Sequence, residues 1–228
     1  MKLSIIMPVF NEEKTVSEVI ERVKTIPIDK EIILVNDASS DGTFDIVKKL
    51  ASHDIKVIHH PVNHGKGAAI RTGLNSACGD VVVIQDADLE YDPNDFLQMI
   101  VPINEKKADV VYGVRLLETQ KMVMRLGNRF LTFVTNLVYG QHLKDMETCY
   151  KMMRREIALN LDLECRRFDV EAEITAKLLR TGYTIYEVPI SYQARYENKK
   201  LTPFDGLPAL KALWKYRNWN PYLDKSNT

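Results

Sequence analysis

The sequence is poor in cysteine and has no long apolar run, and each absence excludes a class of protein. Its three cysteines, Cys78, Cys149 and Cys165, are scattered and form no Cys-x-x-Cys pair, which argues against a disulfide framework or a zinc site. The 31 basic residues balance the 31 acidic ones, so no global charge draws the chain to nucleic acid. No apolar run approaches the ~20 residues that span a bilayer, and the N-terminus lacks a signal-peptide cleavage region. We therefore expect a cytoplasmic protein, either free or attached peripherally to the cytoplasmic membrane face.

Strand-like and helix-like segments alternate through the first half of the 228-residue chain. Apolar runs predict strands at 3–9, 31–35, 55–58, 81–85 and 108–113, and helices at 15–24, 44–51, 65–78 and 93–104 lie between them. We expect Thr15 to cap the first of these helices and Asp41 the second. The alternation predicts an α/β fold with a mostly parallel sheet, helices on both faces, and ligands at the carboxyl ends of the strands.

The second half of the chain is less regular. Helical patterns cover 122–139, 168–180 and 205–216, and two short strands at 184–187 and 190–194 are separated by a break at Pro189. With no internal repeat, we expect a single domain over 1–228, in which 114–228 forms an α/β extension of 1–113.

Three acids follow the fourth predicted strand at alternate positions, Asp86, Asp88 and Glu90. In an extended chain these side chains share one face, where their mutual repulsion favours a bound cation. Carboxylate oxygens suit Mg²⁺ or Mn²⁺, and such ions suit a diphosphate. A polar turn that caps the strand is the alternative interpretation of these residues.

Several motifs in order resemble those of family 2 glycosyltransferases. The sequence contains PVFNEE at 8–13, VNDASSDGT at 35–43, NHGKG at 63–67 and DAD at 86–88. The later segments DMETCYK at 145–151 and EVPI at 187–190 are similar to the polyprenyl-phosphate (dolichol-phosphate) mannosyl- and glucosyltransferase branch. The resemblance covers nearly the whole chain and implies a GT-A, Rossmann-like fold.

The resemblance implies that 1–113 binds a nucleoside-diphosphate sugar and that 114–228 binds the acceptor. Asp37 resembles the acid that accepts a hydrogen bond from a nucleobase, although Asn36 stands where many relatives have another Asp. The glycines around Lys66 open a helix whose N-terminus favours an anion. The expected nucleotide-sugar residues are Pro8, Asn11, Glu12, Asp37, Lys66, Gly67, Asp86 and Ala87.

The resemblance also gives the acids a role in metal binding. The Asp-x-Asp pair contacts the metal that bridges the diphosphate in this family, so Asp88 is also an expected catalytic residue. The branch often has Gln where this chain has Glu90. We expect Asp88 and Glu90 to be direct ligands of Mg²⁺ or Mn²⁺, and Asp86 to bind through water or to hold the ribose.

The acceptor decides whether a general base is required. A lipid phosphate is already ionised and needs cations to position it, for which Arg115, Arg125, Arg129 and Arg195 are the candidates. Arg115 and Arg195 are preferred because they lie in family motifs. A hydroxyl acceptor would need a base, and Asp145 and Glu147 are the candidates for it.

Two segments have the composition of interfacial helices. Residues 122–139 mix large apolar side chains with arginines, and 209–222 combine Trp and Tyr with basic neighbours. Ordinary amphipathic packing is the alternative interpretation.

The sequence thus predicts a metal-dependent, inverting glycosyltransferase that moves a hexose from a donor of the GDP-mannose or UDP-glucose type to a polyprenyl (dolichyl or undecaprenyl) phosphate. A hydroxyl on a soluble or glycan acceptor is the first alternative. A non-catalytic sugar-nucleotide-binding protein is the second.

Overall fold

A computed structural model describes residues 1–116, 119–195 and 206–220 of the chain. The chain has seven strands: β1 (Leu3–Val9), β2 (Lys30–Asn36), β3 (Ile55–His59), β4 (Val81–Ile84), β5 (Val110–Arg115), β6 (Lys151–Arg154) and β7 (Ile185–Ile190). The helices are α1 (Val16–Thr25), α2 (Thr43–Lys49), α3 (Lys66–Ser76), α4 (Phe96–Asn104), α5 (Met122–Tyr139), α6 (Arg155–Asn160), α7 (Val170–Arg180) and α8 (Gly206–Lys215).

All seven strands form one sheet in the order β3-β2-β1-β4-β6-β5-β7. Each pairing is parallel except those of β6, which runs antiparallel between β4 and β5. The inner strands are almost entirely buried, because helices cover the sheet on both sides. The expectation of an α/β, mostly parallel sheet is confirmed, and the carboxyl ends of β1, β2, β4 and β5 meet at one edge.

The 114–228 half contributes β6 and β7 to this sheet. The short strand β6 and the helix α6 that follows it were not among the predicted elements. The helices of this half pack on one another through a second apolar cluster, in which Leu131 of α5 and Ala172 of α7 meet Leu213 of α8. Within the described residues, no helix is both long enough and apolar enough to cross a membrane.

Pro189 lies inside a strand and does not separate two strands. β7 runs unbroken through Ile185–Ile190, and Pro189 pairs in register with Val114. Because β7 is an edge strand of the sheet, a residue without an N–H group is tolerated there. The two predicted short strands are therefore wrong, and one strand replaces them.

The two predicted helix caps differ in the hydrogen bonds that they make. Thr15 stands at the predicted N-cap position of α1, but its side chain makes no capping hydrogen bond; its hydroxyl donates to the carbonyl of Ala87 at 2.6 Å. The side chain therefore ties the start of α1 to the acidic segment after β4. Asp41 does accept a hydrogen bond from the amide of Thr43, at 3.0 Å, where α2 begins.

Candidate active site

A cavity of about 310 Å³ opens at the carboxyl edge of the sheet. Its wall combines residues that follow β1, β2, β4 and β5 with residues of the second half of the chain. Most of the residues expected from the sequence meet there: Pro8, Glu12, Asp37, Lys66, Asp86, Ala87, Asp88, Glu90, Arg115, Glu147 and Arg195 all line the cavity.

Five expected residues lie outside the cavity lining: Asn11, Gly67, Arg125, Arg129 and Asp145. Arg129 is exposed and Arg125 half-buried on α5, so the structure does not bring either of them to the acceptor side of the cavity. Asn11 has a φ of 50° and accepts a hydrogen bond from the Ser40 amide at 2.8 Å, which joins the loops after β1 and β2.

The three acids after β4 do not share a strand face. β4 ends at Ile84, and the chain turns through Asp86 to Glu90 with Leu89 at a φ of 64°. The alternation that we expected of an extended chain is therefore wrong for this segment. The three carboxylates have separate environments, and each must be considered by itself.

Asp86 belongs to a line of alternating buried charges. Lys66 Nζ lies 2.8 Å from Asp86 Oδ1 and 3.2 Å from Glu171 Oε1, and Lys151 Nζ lies 2.8 Å from Glu171 Oε2. Burial acts to raise the pKa of Asp86, but the Lys66 ammonium holds it below its usual value. Burial acts to lower the pKa of Lys66, yet its acidic neighbours hold it well above its usual value. Both groups are therefore charged at neutral pH.

Asp88 forms no ion pair with any described residue. It accepts a hydrogen bond from the Glu90 amide at 3.1 Å. Burial, together with the carboxylates of Asp86 and Glu90, raises the pKa of Asp88 to about 7, against an opposing effect of Arg195. A cation beside Asp88 would stabilise the ionised form of its carboxyl group and lower its pKa.

Glu90 connects the acidic segment after β4 to the residues that follow β7. Its Oε2 accepts from the Tyr192 hydroxyl at 2.6 Å, and its Oε1 accepts from the Arg195 amide at 3.0 Å. In the described residues, no group of three or more His, Cys, Asp or Glu side chains is arranged to hold a metal ion. Glu90, which we expected to be a direct metal ligand together with Asp88, is thus engaged by Tyr192 and Arg195 in the structure.

Arg195 and Arg115 each form a paired contact with a carboxylate. Arg195 donates from both terminal nitrogens to Glu12, at 2.8 and 2.7 Å, while its buried Nε has no hydrogen-bond partner among the described residues. Arg115 donates from Nε and Nη2 to Asp145, at 2.7 and 2.8 Å. Burial acts to lower the pKa of Arg115, but Asp145 holds it well above its usual value. Arg115 thus occupies Asp145, which leaves that acid poorly suited to act as a base.

Glu147 is the acid that remains available as a base. It lines the cavity, and its Oε1 is buried without a hydrogen-bond partner in the part of the chain that the structure describes. Burial raises the pKa of Glu147 to about 7, with Glu171 acting in the same direction and Lys151 opposing it. A carboxyl group with a pKa near neutrality is suited to proton transfer.

Asp37 holds a turn beside the cavity. Its oxygens accept from the amides of His64 and Gly65, at 2.9 and 2.7 Å, and Oδ1 lies 2.7 Å from His60 Nδ1. Gly65 has a φ of 92°, which glycine adopts without cost. The Asp37 carboxylate, which we expected to contact the nucleobase, thus already accepts hydrogen bonds from backbone amides of the chain itself.

The amides at the start of α3 are also occupied. Gly67 N and Ala68 N donate to the carbonyl of Arg166, at 2.9 and 3.3 Å. A Cβ on Gly67 would lie 2.3 Å from the Cys165 carbonyl oxygen, so glycine is required there by close packing. Two amides of the expected anion site are thus already bonded to a segment of the second half, and an anion at this helix N-terminus stays a prediction.

The cavity as a whole has an excess of acid. Seven carboxylate side chains line it against four basic ones. The acids are Glu12, Asp37, Asp86, Asp88, Glu90, Glu147 and Glu171, and the basic residues are Lys66, Arg115, Arg167 and Arg195. A bound diphosphate would add further negative charge to a lining in which acids already outnumber bases among the described residues.

Sequence reasoning missed several residues of this region. Tyr91 and Tyr192 line the cavity and contact each other with ring centroids 5.3 Å apart. Lys151 is fully buried behind the cavity and contacts the Tyr112 ring, with Nζ 4.8 Å from the ring centroid. The available signal was a lysine inside the apolar run Cys149–Met153, since a buried lysine needs an acidic partner. Glu171 is that partner.

Comparison with known proteins identifies the family to which the chain is similar. Residues 4–161 match the sequence model described as Glycosyl transferase family 2. The chain is 28% identical over 210 residues to a UDP-N-acetylglucosamine–dolichyl-phosphate N-acetylglucosaminyltransferase of Methanococcus voltae, covering 82% of this chain and 83% of that protein. It is 26% identical over 237 residues to a dolichol-phosphate mannosyltransferase of Pyrococcus furiosus, covering 99% of this chain and 66% of that protein.

The fold has solved counterparts. Glucosyl-3-phosphoglycerate synthase from Mycobacterium tuberculosis, in complex with Mn²⁺, uridine diphosphate and glucosyl-3-phosphoglycerate, matches with a TM-score of 0.75 at 21% identity. The match covers 95% of this chain and 80% of that one. At this identity the likeness establishes the GT-A fold.

Proposed function

Because the chain belongs to glycosyl transferase family 2, we propose that it transfers a hexose from a nucleoside-diphosphate sugar to a polyprenyl phosphate with the aid of a divalent cation. One observation carries the metal dependence: a cavity lined by seven carboxylates and four basic side chains holds Asp88 with its pKa raised to about 7. Such a site accepts a diphosphate when a cation accompanies it.

The residues fit a cation shared with the diphosphate. Asp86 and Asp88 would supply carboxylate oxygens, and Mg²⁺ or Mn²⁺ commonly completes its shell with substrate phosphates when the protein offers only one or two acids. The Mn²⁺ and uridine diphosphate in the glucosyl-3-phosphoglycerate synthase complex support this assignment. When bound, the ion would offset the charge that develops on the leaving diphosphate. Glu90 would act indirectly, by fixing the turn that carries Asp88.

The chain's own residues would orient the donor. Lys66, held between Asp86 and Glu171, places a fixed positive charge at the nucleotide side of the cavity. Asp37 would position the cavity-lining turn at Asn63–Gly65 through its two amide contacts. The proposed donor half, 1–113, also includes Pro8 at the end of β1, Asn11, Glu12 and Ala87 in the loops, and the close-packed Gly67.

Arg195 and Arg115 would position the acceptor phosphate. Both line the cavity, and the buried Nε of Arg195 is a donor without a partner among the described residues. A guanidinium group pairs well with phosphate, and an ionised phosphate attacks without losing a proton. The two relatives whose names include dolichyl or dolichol phosphate support a lipid phosphate as the acceptor. We propose this acceptor role for the 114–228 half, at the cytoplasmic membrane face.

Glu147 favours one alternative acceptor. Its unpartnered oxygen and its pKa of about 7 suit a base that removes a proton from a hydroxyl group. A hydroxyl-bearing soluble or glycan acceptor is therefore the second candidate. It differs from the first in requiring Glu147 for the chemical step.

A panel of sugar nucleotides tests the proposal. The protein is incubated with each donor and Mg²⁺ or Mn²⁺, with and without polyprenyl phosphate, and glycolipid is scored. Asp88→Asn should reduce turnover at least about 100-fold, since it removes charge from the proposed ion site. Asp45→Asn, an exposed acid on α2, is the matched control and should retain activity. Wild-type rates that are unchanged by chelation of divalent cations, or normal turnover by Asp88→Asn, would refute the metal assignment.

A further inference from the structure

Helix α5 turns a row of large apolar side chains to solvent. Six of its residues are 55–76% exposed: Met122, Val123, Leu126, Phe130, Phe133 and Leu137. Their spacing of mostly three or four residues places them along one face of the helix. The opposite face is buried through Asn128, Leu131, Thr132 and Thr135. Exposed apolar rows of this length on a folded protein mark a surface that is covered in use.

Helix α8, which packs against α5, has exposed apolar residues as well. Tyr139 of α5 donates a hydrogen bond to the carbonyl of Leu213 in α8 at 2.7 Å. Leu207 and Trp214 of α8 are 61% and 63% exposed, and the Arg217 guanidinium lies 3.6 Å from the centroid of the Trp214 ring. We call the exposed apolar residues of these two helices the α5–α8 surface.

The segments that carry the α5–α8 surface contain no acidic residue. Neither 119–144 nor 206–220 includes an Asp or a Glu, although the whole chain has 31 acids and 31 bases. The same segments contain seven basic residues: Lys121, Arg125, Arg129, Lys144, Lys211, Lys215 and Arg217. Lys215 forms a surface ion pair with Glu164 at 2.6 Å, but the charged residues of the two segments themselves are all basic. Apolar side chains interspersed with basic ones are complementary to an anionic lipid headgroup layer.

We propose that the α5–α8 surface docks on an anionic lipid bilayer, with α5 lying in the headgroup region. This inference rests on the proposed function, since a polyprenyl phosphate is presented at a bilayer surface. The charged residues of 119–144 and 206–220 are all basic, and a surface of exposed apolar and basic side chains favours an anionic lipid layer as its partner.

The buried side of α5 connects this surface to the cavity. Asn128 on α5 and Gln120 just before it both line the cavity, and Asn128 Nδ2 donates to Gln120 Oε1 at 3.1 Å. A helix with its side chains is about 10–12 Å across. A bilayer in contact with the exposed face would therefore lie about one helix diameter from the cavity wall. Docking would bring the acceptor's phosphate near the cavity while its hydrocarbon chain remains in lipid.

Sedimentation with lipid vesicles tests the proposal on the full chain. We expect binding to vesicles of phosphatidylcholine with 30% phosphatidylserine to be at least about tenfold tighter than to phosphatidylcholine alone, because each basic side chain near an anionic surface adds roughly fivefold. This preference should fall as salt is raised. Equal binding to both vesicles would overturn the electrostatic part of the proposal.

Two matched double variants locate the surface. Phe133→Glu with Leu137→Glu places two acids one turn apart on the exposed face of α5, and Leu97→Glu with Val101→Glu does the same on α4. The α5 pair should weaken vesicle binding about 100-fold, since each large apolar side chain that leaves water contributes roughly tenfold. The α4 pair should bind as the wild type does. Equal effects of the two pairs, with both variants folded by circular dichroism, would refute the assignment to α5.

Two further measurements separate this inference from the proposed function. A wild-type dimer in solution that the α5 pair converts to monomer, together with unchanged vesicle binding, would show that a second copy covers this face and overturn the proposal. With a short-chain, water-soluble prenyl phosphate, the α5 pair should transfer sugar at the wild-type rate. If no prenyl phosphate is glycosylated by any variant while anionic vesicles still bind the wild type, the proposed acceptor fails and the docking surface stands.

Discussion

Glu147 allows the electrostatics of the cavity to be measured with a single substitution. The ordinary pKa of a glutamate is 4.5, and burial raises that of Glu147 to about 7. The folded state therefore binds the proton more tightly than the unfolded state does. The stabilising contribution of the protonated form is complete below pH 4.5 and is lost as pH rises through 7.

The size of this effect follows from the two pKa values. The difference between 4.5 and about 7 corresponds to roughly 3 kcal/mol of free energy of unfolding. Part of the Glu147 residue still reaches solvent, which screens the charge, so we expect about 2 kcal/mol. Glu147→Gln carries no such titration. The free-energy difference between the variant and the wild type should therefore shift by about 2 kcal/mol in favour of the variant between pH 5 and pH 8.

Urea unfolding of both proteins at pH 5 and pH 8 measures this shift, because other groups titrate alike in the two proteins and cancel. Glu156→Gln, an exposed acid on α6, is the matched control and should give parallel curves. Parallel curves for Glu147→Gln as well would show that the Glu147 carboxylate is not destabilised by burial. The reasoning about this side of the cavity would then be wrong.

The same variant separates the two acceptor classes. With polyprenyl phosphate as acceptor, no proton is removed and Glu147→Gln should keep its rate within a few-fold. With a hydroxyl acceptor, loss of the base should lower the rate more than about 100-fold. The measurement is kcat for each acceptor with the same donor and metal.

The remaining predictions concern packing and buried charge. Gly67→Ala should lower the free energy of unfolding by at least about 2 kcal/mol, because its Cβ would lie 2.3 Å from a backbone carbonyl oxygen. Gly127→Ala in α5 meets nothing within 4 Å and should raise it by about 0.5–1 kcal/mol; a loss of stability there would contradict the helical assignment. Lys177→Met should cost about 3–5 kcal/mol, since it leaves the buried carboxylate of Glu173 without its ammonium partner 2.8 Å away. Lys215→Met, which removes a surface pair, should cost under about 1 kcal/mol, and similar losses for the two lysines in thermal unfolding would refute the distinction.

Most helices and strands were predictable because their signals are local. The apolar run of β1 matches its predicted range 3–9, and the observed α5 matches the predicted 122–139. Continuous apolar runs for buried parallel strands and a regular helical period depend only on neighbours in the chain. The antiparallel β6 had no comparable signal, because its position between β4 and β5 depends on long-range pairing.

The roles of individual site residues were less predictable, because they depend on which partner reaches each side chain. The sequence identified Asp145 and Glu147 as equal candidates for a base. The structure pairs Asp145 with Arg115 and leaves an oxygen of Glu147 without a partner among the described residues. Asp145 and Glu147 lie two residues apart in the chain, yet one is ion-paired and the other is not, because different segments pack against them.

The acidic segment shows the same division most clearly. The sequence by itself determined that three carboxylates follow β4, that motifs of one family surround them, and that they face the ligand edge of a parallel sheet. The tertiary structure decided that Asp86 pairs with Lys66, that Glu90 accepts a hydrogen bond from Tyr192, and that Asp88 forms no ion pair among the described residues. The physical reason is that composition and periodicity are properties of the chain, whereas the charge that a carboxylate experiences is set by groups far away in sequence and near in space.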